Sequence, residues 1–439
     1  RNCGLRGKDI NIIIKKRMKR RMEKRMEKRI GNYREKESFM QRRLSIFLIV
    51  LTLTIGTGIA LTGCAKNEDA GSKSAEQGAR SQEGSTGVSQ DWETMTLQET
   101  MNLRYATQFS VEKYEGGYEK IVIGDADTYL VVPEQAEIPQ NVPETVTVIC
   151  RPLSNIYLSA TSAMDLFRSL DAIDQVTLSG TQESGWYIEE AKQAMESGAM
   201  TYAGKYSAPD YELILSKSCD LAIESTMITH SPEVKEQLQK LGIPVLVERS
   251  SYEKSPLGRM EWIKLYGVLL GKEEEAEACF EEKAKEVEQV VAEQASGKTA
   301  TFFYISSNGY ANVRKPGDYI SEMIRMAGGI PLPQNIEDNG NALSTMNMQM
   351  EAFYAEAKDA DYLIYNSTID GELESLSELL AKSSLLSGFK AVKEGHVWCT
   401  GKNMFQESMG LGDMILDMHR LFTEEEPDPA KMTYLHPLK

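Results

Sequence analysis

Histidine and cysteine are scarce, with 4 His and 6 Cys in 439 residues. The histidines, His230, His396, His419 and His436, are widely spaced, and no Cys-x-x-Cys or Cys/His cluster occurs. A zinc site built from this chain's own side chains is therefore not expected. Iron–sulfur chemistry lacks the cysteine spacing it needs. The sequence has no Gly-x-x-x-x-Gly-Lys-Ser/Thr, Gly-x-Ser-x-Gly or His-Glu-x-x-His, so phosphate-loop, serine-hydrolase and zinc-protease chemistries have no foothold. Long apolar runs are scarce as well, the exception being the uncharged stretch 44–63.

Charge is plentiful but divided. Residues 1–63 carry 17 Lys and Arg against 5 Asp and Glu; the whole chain has 49 and 65, which leaves 32 basic against 60 acidic residues from Cys64 onward. A body of net charge -28 is repelled by nucleic-acid phosphates and by anionic lipid, so no nucleic-acid partner is expected. Of the cysteines beyond Cys64, Cys150, Cys219 and Cys399 lie in or beside apolar runs and read as small buried residues, a single disulfide being the alternative.

From Met40 the order is Met-Gln-Arg-Arg, the apolar stretch, then Leu61-Thr62-Gly63-Cys64. This is the charged and apolar sequence of an export signal. A retained membrane helix is the competing reading, opposed by Gly56, Gly58 and Gly63 and by the small-residue ending. Leu61-Thr62-Gly63-Cys64 resembles the lipobox of bacterial lipoproteins, which implies a lipid on Cys64 as the chain's link to the membrane. Residues 1–39 read either as a basic helical extension or as sequence upstream of a start at Met40. After Cys64 a Ser-, Gly-, Gln- and Glu-rich stretch cannot bury enough apolar surface to fold, so residues 64–100 are taken as a tether.

Residues 118–132 read as a β-hairpin around Gly-Asp-Ala-Asp. Short apolar runs then alternate with helical segments: strands at 146–150, 175–179, 220–224 and 244–248, with helices at 160–170, 187–197 and 232–241 between them. A second series runs from Thr301 through Tyr362–Tyr365 and His396–Cys399 to a last helix from Met409. Both series imply parallel α/β sheets buried on two faces. Between them lie forty residues from Pro256 to Ala295 with apolar positions at helical spacing, read as one long helix that would break, if anywhere, near Gly271. The domains follow as 1–63 lead and signal, 64–100 tether, 101–254 first lobe with its leading hairpin, 255–297 linking helix, and 298–439 second lobe.

From Thr145 onward this arrangement resembles the helix-linked solute-binding proteins of ABC importers that carry ferric siderophores, haem and cobalamin. The stretch Gly204-Lys205-Tyr206-Ser207-Ala208-Pro209-Asp210-Tyr211-Glu212, followed by Asp220-Leu221-Ala222-Ile223, carries the likeness. Met348-Gln349-Met350-Glu351, then Asp361-Tyr362-Leu363-Ile364, repeats it in the second lobe. The resemblance implies two Rossmann-like α/β lobes, no enzymatic activity, no cofactor, and a monomer that works with the transmembrane subunits of an ABC permease. It further implies that Glu212 and Glu351 dock on permease arginines; a first-turn glutamate also suits the helix dipole without docking.

Solutes of such proteins lie at the carboxyl ends of the strands. Those loops offer Trp186, Tyr187, Tyr206, Tyr252, Tyr310 and Phe405 for stacking on a flat organic solute, and Arg249, Arg314 and Lys205 for an anionic chelate. His230 reads as a turn residue ahead of Pro232, contact with a solute or a haem iron being the alternative. A transported metal is expected to arrive within its organic chelator. A metal-cofactor enzyme and a lipid-anchored sensor on the same scaffold are the alternatives. A long linking helix also predicts only modest lobe closure on binding.

Overall fold

The computed structural model describes residues 90–125, 127–334 and 344–439. The export segment, Cys64 and the start of the tether lie outside the described residues.

The first five strands form one sheet in the order β1 to β5: Leu97–Thr100, Phe109–Tyr114, Glu119–Ile123, Asp127–Val132 and Val146–Cys150. The first four pair antiparallel, and β5 lies parallel to β4. Alternation along these strands sends Phe109, Val111, Ile121, Ile123, Tyr129 and Val131 into the main core, while Tyr118, Leu130 and Val132 form a smaller outer cluster. Three expectations are corrected. The hairpin at 118–132 is present, but as two strands of five. Val146–Cys150, assigned from its apolar run to the first lobe's parallel sheet, completes this leading sheet instead. Residues Trp92–Thr94 and Leu97–Thr100, placed in the tether by composition, form a 3-10 turn and β1.

The first lobe is a parallel sheet of β6 (Ile156–Leu158), β7 (Leu178–Ser179), β8 (Thr201–Tyr202), β11 (Leu221–Ser225) and β12 (Val245–Glu248), in the order 12-11-6-7-8. A two-strand ladder, β9 (Gly204–Lys205) and β10 (Ala208–Pro209), precedes the helix that carries Glu212. Helices α1 (Met164–Ser169), α2 (Glu189–Glu196), α3 (Tyr211–Ser216) and α4 (Pro232–Lys240) connect these strands. Ile223 and Leu246 face the main core, while Ala222, Val245 and Val247 pack on the opposite side. Burial on two faces is the reason the strands read as continuous apolar runs.

The linking region is helical but is not a single long helix. It comprises α5 (Pro256–Glu261), α6 (Ile263–Leu270) and α7 (Glu273–Val291). Gly271 ends α6 in a left-handed conformation at φ 67°, a geometry that favours glycine. The chain then folds back so that α6 and α7 pack together. Gly267 makes this close approach possible, since a Cβ there would lie 2.7 Å from that of Ala276.

The second lobe has β13 (Thr299–Ile305), β14 (Ala311–Arg314), β15 (Ile330–Leu332), β16 (Thr345–Met348), β17 (Tyr362–Tyr365), β18 (Val397–Thr400) and β19 (Leu435–Pro437). Its order is 16-14-13-17-18-19, with β15 also paired to β13. The 13-17-18 centre is parallel and β19 closes the β18 edge antiparallel. Helices α8 (Tyr319–Met326), α9 (Met350–Ala357), α10 (Ser367–Asp370), α11 (Leu376–Lys382), α12 (Lys390–Glu394) and α13 (Leu411–Thr423) surround it. Phe302 and Ile364 join the main core; Phe303, Leu363 and Tyr365 fill the other face with Phe353 and Phe389.

Two buried glutamates fasten the leading sheet to the linker. Glu261 accepts from the backbone N–H groups of Arg104 (2.9 Å), Tyr105 (2.7 Å) and Ala106 (2.8 Å). Glu253 accepts from Thr107 and Gln108 N–H, both at 2.8 Å, and from Trp262 Nε1 at 3.1 Å. Charged acceptors on several N–H donors strengthen each bond and satisfy the buried charge. The leading sheet also covers the free edge of β12, where Val247 N–H donates to the Tyr129 hydroxyl at 3.3 Å.

The described cysteines Cys150, Cys219, Cys279 and Cys399 are free thiols. Cys399 is buried, as its apolar run implied; Cys150 is exposed because the last residue of β5 turns outward.

Candidate functional site

In both lobes the parallel strands end in loops that expose large apolar side chains. Among the described residues these include Tyr187 after β7, Met227 after β11, Tyr252 after β12, Tyr310 after β13 and Ile369 after β17. Tyr252 is 54% and Ile369 63% exposed. Exposing such groups costs free energy unless something covers them, and their place at strand ends is where α/β sheets bind ligands.

A cavity of about 460 Å³, within the range for small-molecule sites, is built almost wholly by the second lobe, with Tyr187 of the first lobe reaching it. Tyr187 lines it from the first lobe, and Glu372, Lys402, Asn403, Tyr434 and His436 from the second. Its lining is largely polar. Tyr252 and Tyr310 are not among the lining residues, so the cavity occupies only the β18 side of the loop cluster. His436 is fixed through Nε2 to the Leu373 carbonyl at 2.9 Å, with Nδ1 3.6 Å from Glu372.

The remaining residues singled out in the sequence fall into different places. Trp186 is a correction: it is only 1% exposed and donates through Nε1 to Ser179 Oγ at 3.2 Å. The short turn Glu183–Gly185 rotates it into the core and leaves its neighbour Tyr187 outside. Arg249 is folded onto the leading sheet's hairpin, 3.2 Å from Asp127, which also lies 3.4 Å from Lys235. Arg314 sits 3.5 Å from Asp318 among Phe302, Tyr319 and Phe405. Both arginines therefore have carboxylate partners within the protein. Phe405 is half-buried beside Arg314, and Tyr206 is half-buried in the β9–β10 turn. The Tyr310 hydroxyl accepts from Gln349 Nε2 at 3.1 Å. Lys205 and His230 are exposed, the latter in the 3-10 turn Thr226–His230.

Glu212 and Glu351 are both exposed, each in the first turn of the helix preceding a central parallel strand, β11 or β17. The α3 helix is capped by Asp210, which accepts from Leu213 N–H at 3.0 Å. The two glutamates thus occupy equivalent positions in the two lobes.

Contacts that no local motif announced join the lobes. Asp165 and Arg168 on α1 meet Glu407 and Met409 of the second lobe. Burial pushes the Asp165 carboxyl up to about 6 even though Arg168 and the Met409 N–H favour its ionised form. The Tyr434 hydroxyl, bonded to Glu407, is raised well above its usual range, by burial first and by the neighbouring carboxylate second. In the first lobe Glu224 is fully buried and neither carboxylate oxygen has a well-formed hydrogen bond; burial raises it to about 7, with the Ser159 hydroxyl beside it opposing the shift. Only the i,i+3 spacing of Asp165 and Arg168 on one helix was visible in the sequence, and that pattern is common on exposed helix faces.

Two α/β lobes, the first with a parallel sheet and the second with a mixed one, joined by a helical linker, define a two-lobed binding protein. The chain belongs to the periplasmic binding protein family, whose model matches residues 161–404. Two uncharacterized lipoproteins of Methanocaldococcus jannaschii are similar to it. One is 22% identical over 352 residues, covering 74% of this chain and 80% of the relative; the other is 24% identical over 364 residues, covering 80% and 88%. Among solved structures, a petrobactin-binding protein from Bacillus subtilis is 15% identical with a TM-score of 0.51, covering 63% of this chain and 94% of that one. A periplasmic heme-binding protein from Pseudomonas aeruginosa is 16% identical with a TM-score of 0.50, covering 65% and 98%. At such identities the structural likeness is one of fold. Among the described residues no helix is long and apolar enough to cross a membrane.

Proposed function

We propose that this protein is a lipid-anchored, extracytoplasmic solute-binding protein that holds an organic solute or metal chelate between its lobes and delivers it to an ABC permease without chemical turnover. The observation that carries this reading is the set of exposed aromatic and apolar side chains at the carboxyl ends of strands in both lobes. A flat organic solute would cover them from two sides. The family supports the solute-binding role, and the two similar structures bind petrobactin and heme by their names. The similar lipoproteins support attachment through Cys64.

Because Arg249 and Arg314 already have carboxylate partners, the site is not a cluster of free cations awaiting an anion. An anionic chelate would have to compete with Asp127 and Asp318 for them. Glu212 and Glu351, exposed at equivalent positions, are the proposed docking points for cationic groups of the permease.

The experiment is a titration of the protein with haemin, a ferric catecholate, a ferric hydroxamate and cobalamin, followed by tyrosine and tryptophan fluorescence. Reversible saturation by one class, weakened by Tyr252→Ala or Tyr310→Ala and unaffected by Glu212→Lys or Glu351→Lys, supports the reading. The glutamate substitutions should abolish uptake in cells while leaving binding intact. Conversion of the solute, or binding insensitive to both tyrosines, would overturn it.

A further inference from the structure

The second-lobe segment from Gln406 to Met409 follows the turn Lys402–Phe405 and leads into α13. Gln406, Glu407 and Ser408 are each more than nine-tenths buried, although all are polar. Their burial is offset by bonds to the other lobe. Gln406 Oε1 accepts from Tyr187 N–H at 2.8 Å, and Gln406 Nε2 donates to the Gly185 carbonyl at 2.7 Å. Ser408 Oγ donates to the Ser162 carbonyl at 2.8 Å, and Met409 N–H donates to Asp165 Oδ2 at 2.8 Å. Glu407 lies 3.3 Å from Arg168.

The paired Gln406 contact differs from the others in what it holds. An amide side chain offers one acceptor and one donor on a single rigid plane. Here both engage the backbone of residues 185–187, so the glutamine substitutes for a strand neighbour that this loop lacks. Among the described residues, Gln406 Oε1 is the acceptor of the Tyr187 N–H. Tyr187 itself is the one first-lobe residue that lines the cavity.

We propose that Gln406 is a positioning residue: from the second lobe it clamps the 185–187 backbone of the first, and so couples the separation of the lobes to the presentation of the Tyr187 ring in the cavity. Opening the lobes withdraws Gln406, and the loop loses both bonds at once. Closing them restores the ring to its place. The clamp is a property of the folded chain; only its effect on solute affinity rests on the function proposed above.

Hydrogen exchange on the solute-free full chain tests the clamp. In Gln406→Ala, exchange at the Tyr187 amide should rise about tenfold, the scale of one lost hydrogen bond, while the leading sheet at 119–132 is unchanged. Gln406→Glu keeps the acceptor and loses the donor, and should retain protection at Tyr187 N–H. Unchanged exchange at the Tyr187 amide in Gln406→Ala would overturn the proposal. So would a uniform rise along the chain, or equal loss of protection in both variants. In a second arm haemin is titrated into wild type, Gln406→Ala, Tyr187→Ala and the double variant. Equal single losses with no further loss in the double variant support the coupling, and additive losses contradict it. If haemin fails to bind wild type, haem is excluded as the solute and the exchange experiment alone decides the clamp.

Discussion

The two lobes close the outer edge of their sheets in different ways. In the second lobe β19 adds a true strand to β18, with a backbone ladder from Trp398–Pro437 to Thr400–Leu435 and buried Leu435 and Leu438 behind it. In the first lobe β12 receives no strand. A separate five-stranded sheet leans against it and satisfies Val247 N–H with one tyrosine hydroxyl. An exposed strand edge invites unwanted pairing, and both solutions remove it. The difference is in what else each one does: β19 brings Tyr434 and His436 to the cavity, whereas the leading sheet brings Asp127 to Arg249. Each edge cover therefore also shapes the chemistry at its end of the site.

The largest effect is expected where the leading sheet is held. Glu261→Ala leaves three backbone N–H groups without their acceptor and removes one of the two carboxylates beside Lys264, the other being Glu277, and should cost about 3–5 kcal/mol, read from the guanidinium unfolding midpoint. A loss below about 1 kcal/mol would mean the sheet is held mainly by its apolar face. Next, Leu435→Ala on β19 should cost about 2–4 kcal/mol through a cavity in the packed edge. Tyr129→Phe, which removes only the hydroxyl at the other edge, should cost about 1 kcal/mol and stands last in this series. Equal costs at the two edges would erase the contrast drawn between them.

Between these lies a comparison of the central strands. Glu224 on β11 corresponds by motif to Tyr365 on β17, and both are buried. The Glu224 carboxyl is held up to about 7 by burial. As an acid with a raised folded-state value, it favours folding fully only below its unfolded value near 4.5, and that stability is lost as pH rises toward 7. Glu224→Gln should thus match wild type at pH near 4 and exceed it by roughly 2–3 kcal/mol at pH near 8. Unfolding measured at the two pH values checks this; an identical difference at both would contradict it.

Much of the lobe architecture was legible because strands buried on two faces write themselves as apolar runs, and Gly271 marked the break it makes. The single long helix was not observed because periodicity does not show that α6 and α7 fold back on each other. Val146–Cys150 was misplaced for a similar reason, since its apolar pattern says nothing about which sheet it joins. Glu212 and Glu351 were singled out by the family resemblance, and both lie exposed in the first turn of a helix. Trp186 and Tyr187 are adjacent aromatics, and only the turn before them decides which faces the core. Glu253, Glu261 and Gln406 were invisible because their partners lie far away in sequence.

The expectation of modest closure needs a different basis now that the linker is three helices. The Gln406–Met409 contacts supply one, since opening the lobes breaks several buried polar bonds together.

The central claim, that the cleft holds an organic solute, is tested most directly by native mass spectrometry of the protein purified from its own host, with an absorption spectrum of the same sample. A single organic mass increment that is released on unfolding is the predicted result. A chain that carries no increment as purified, and takes up none after incubation with haemin, ferric siderophores or cobalamin, would contradict it.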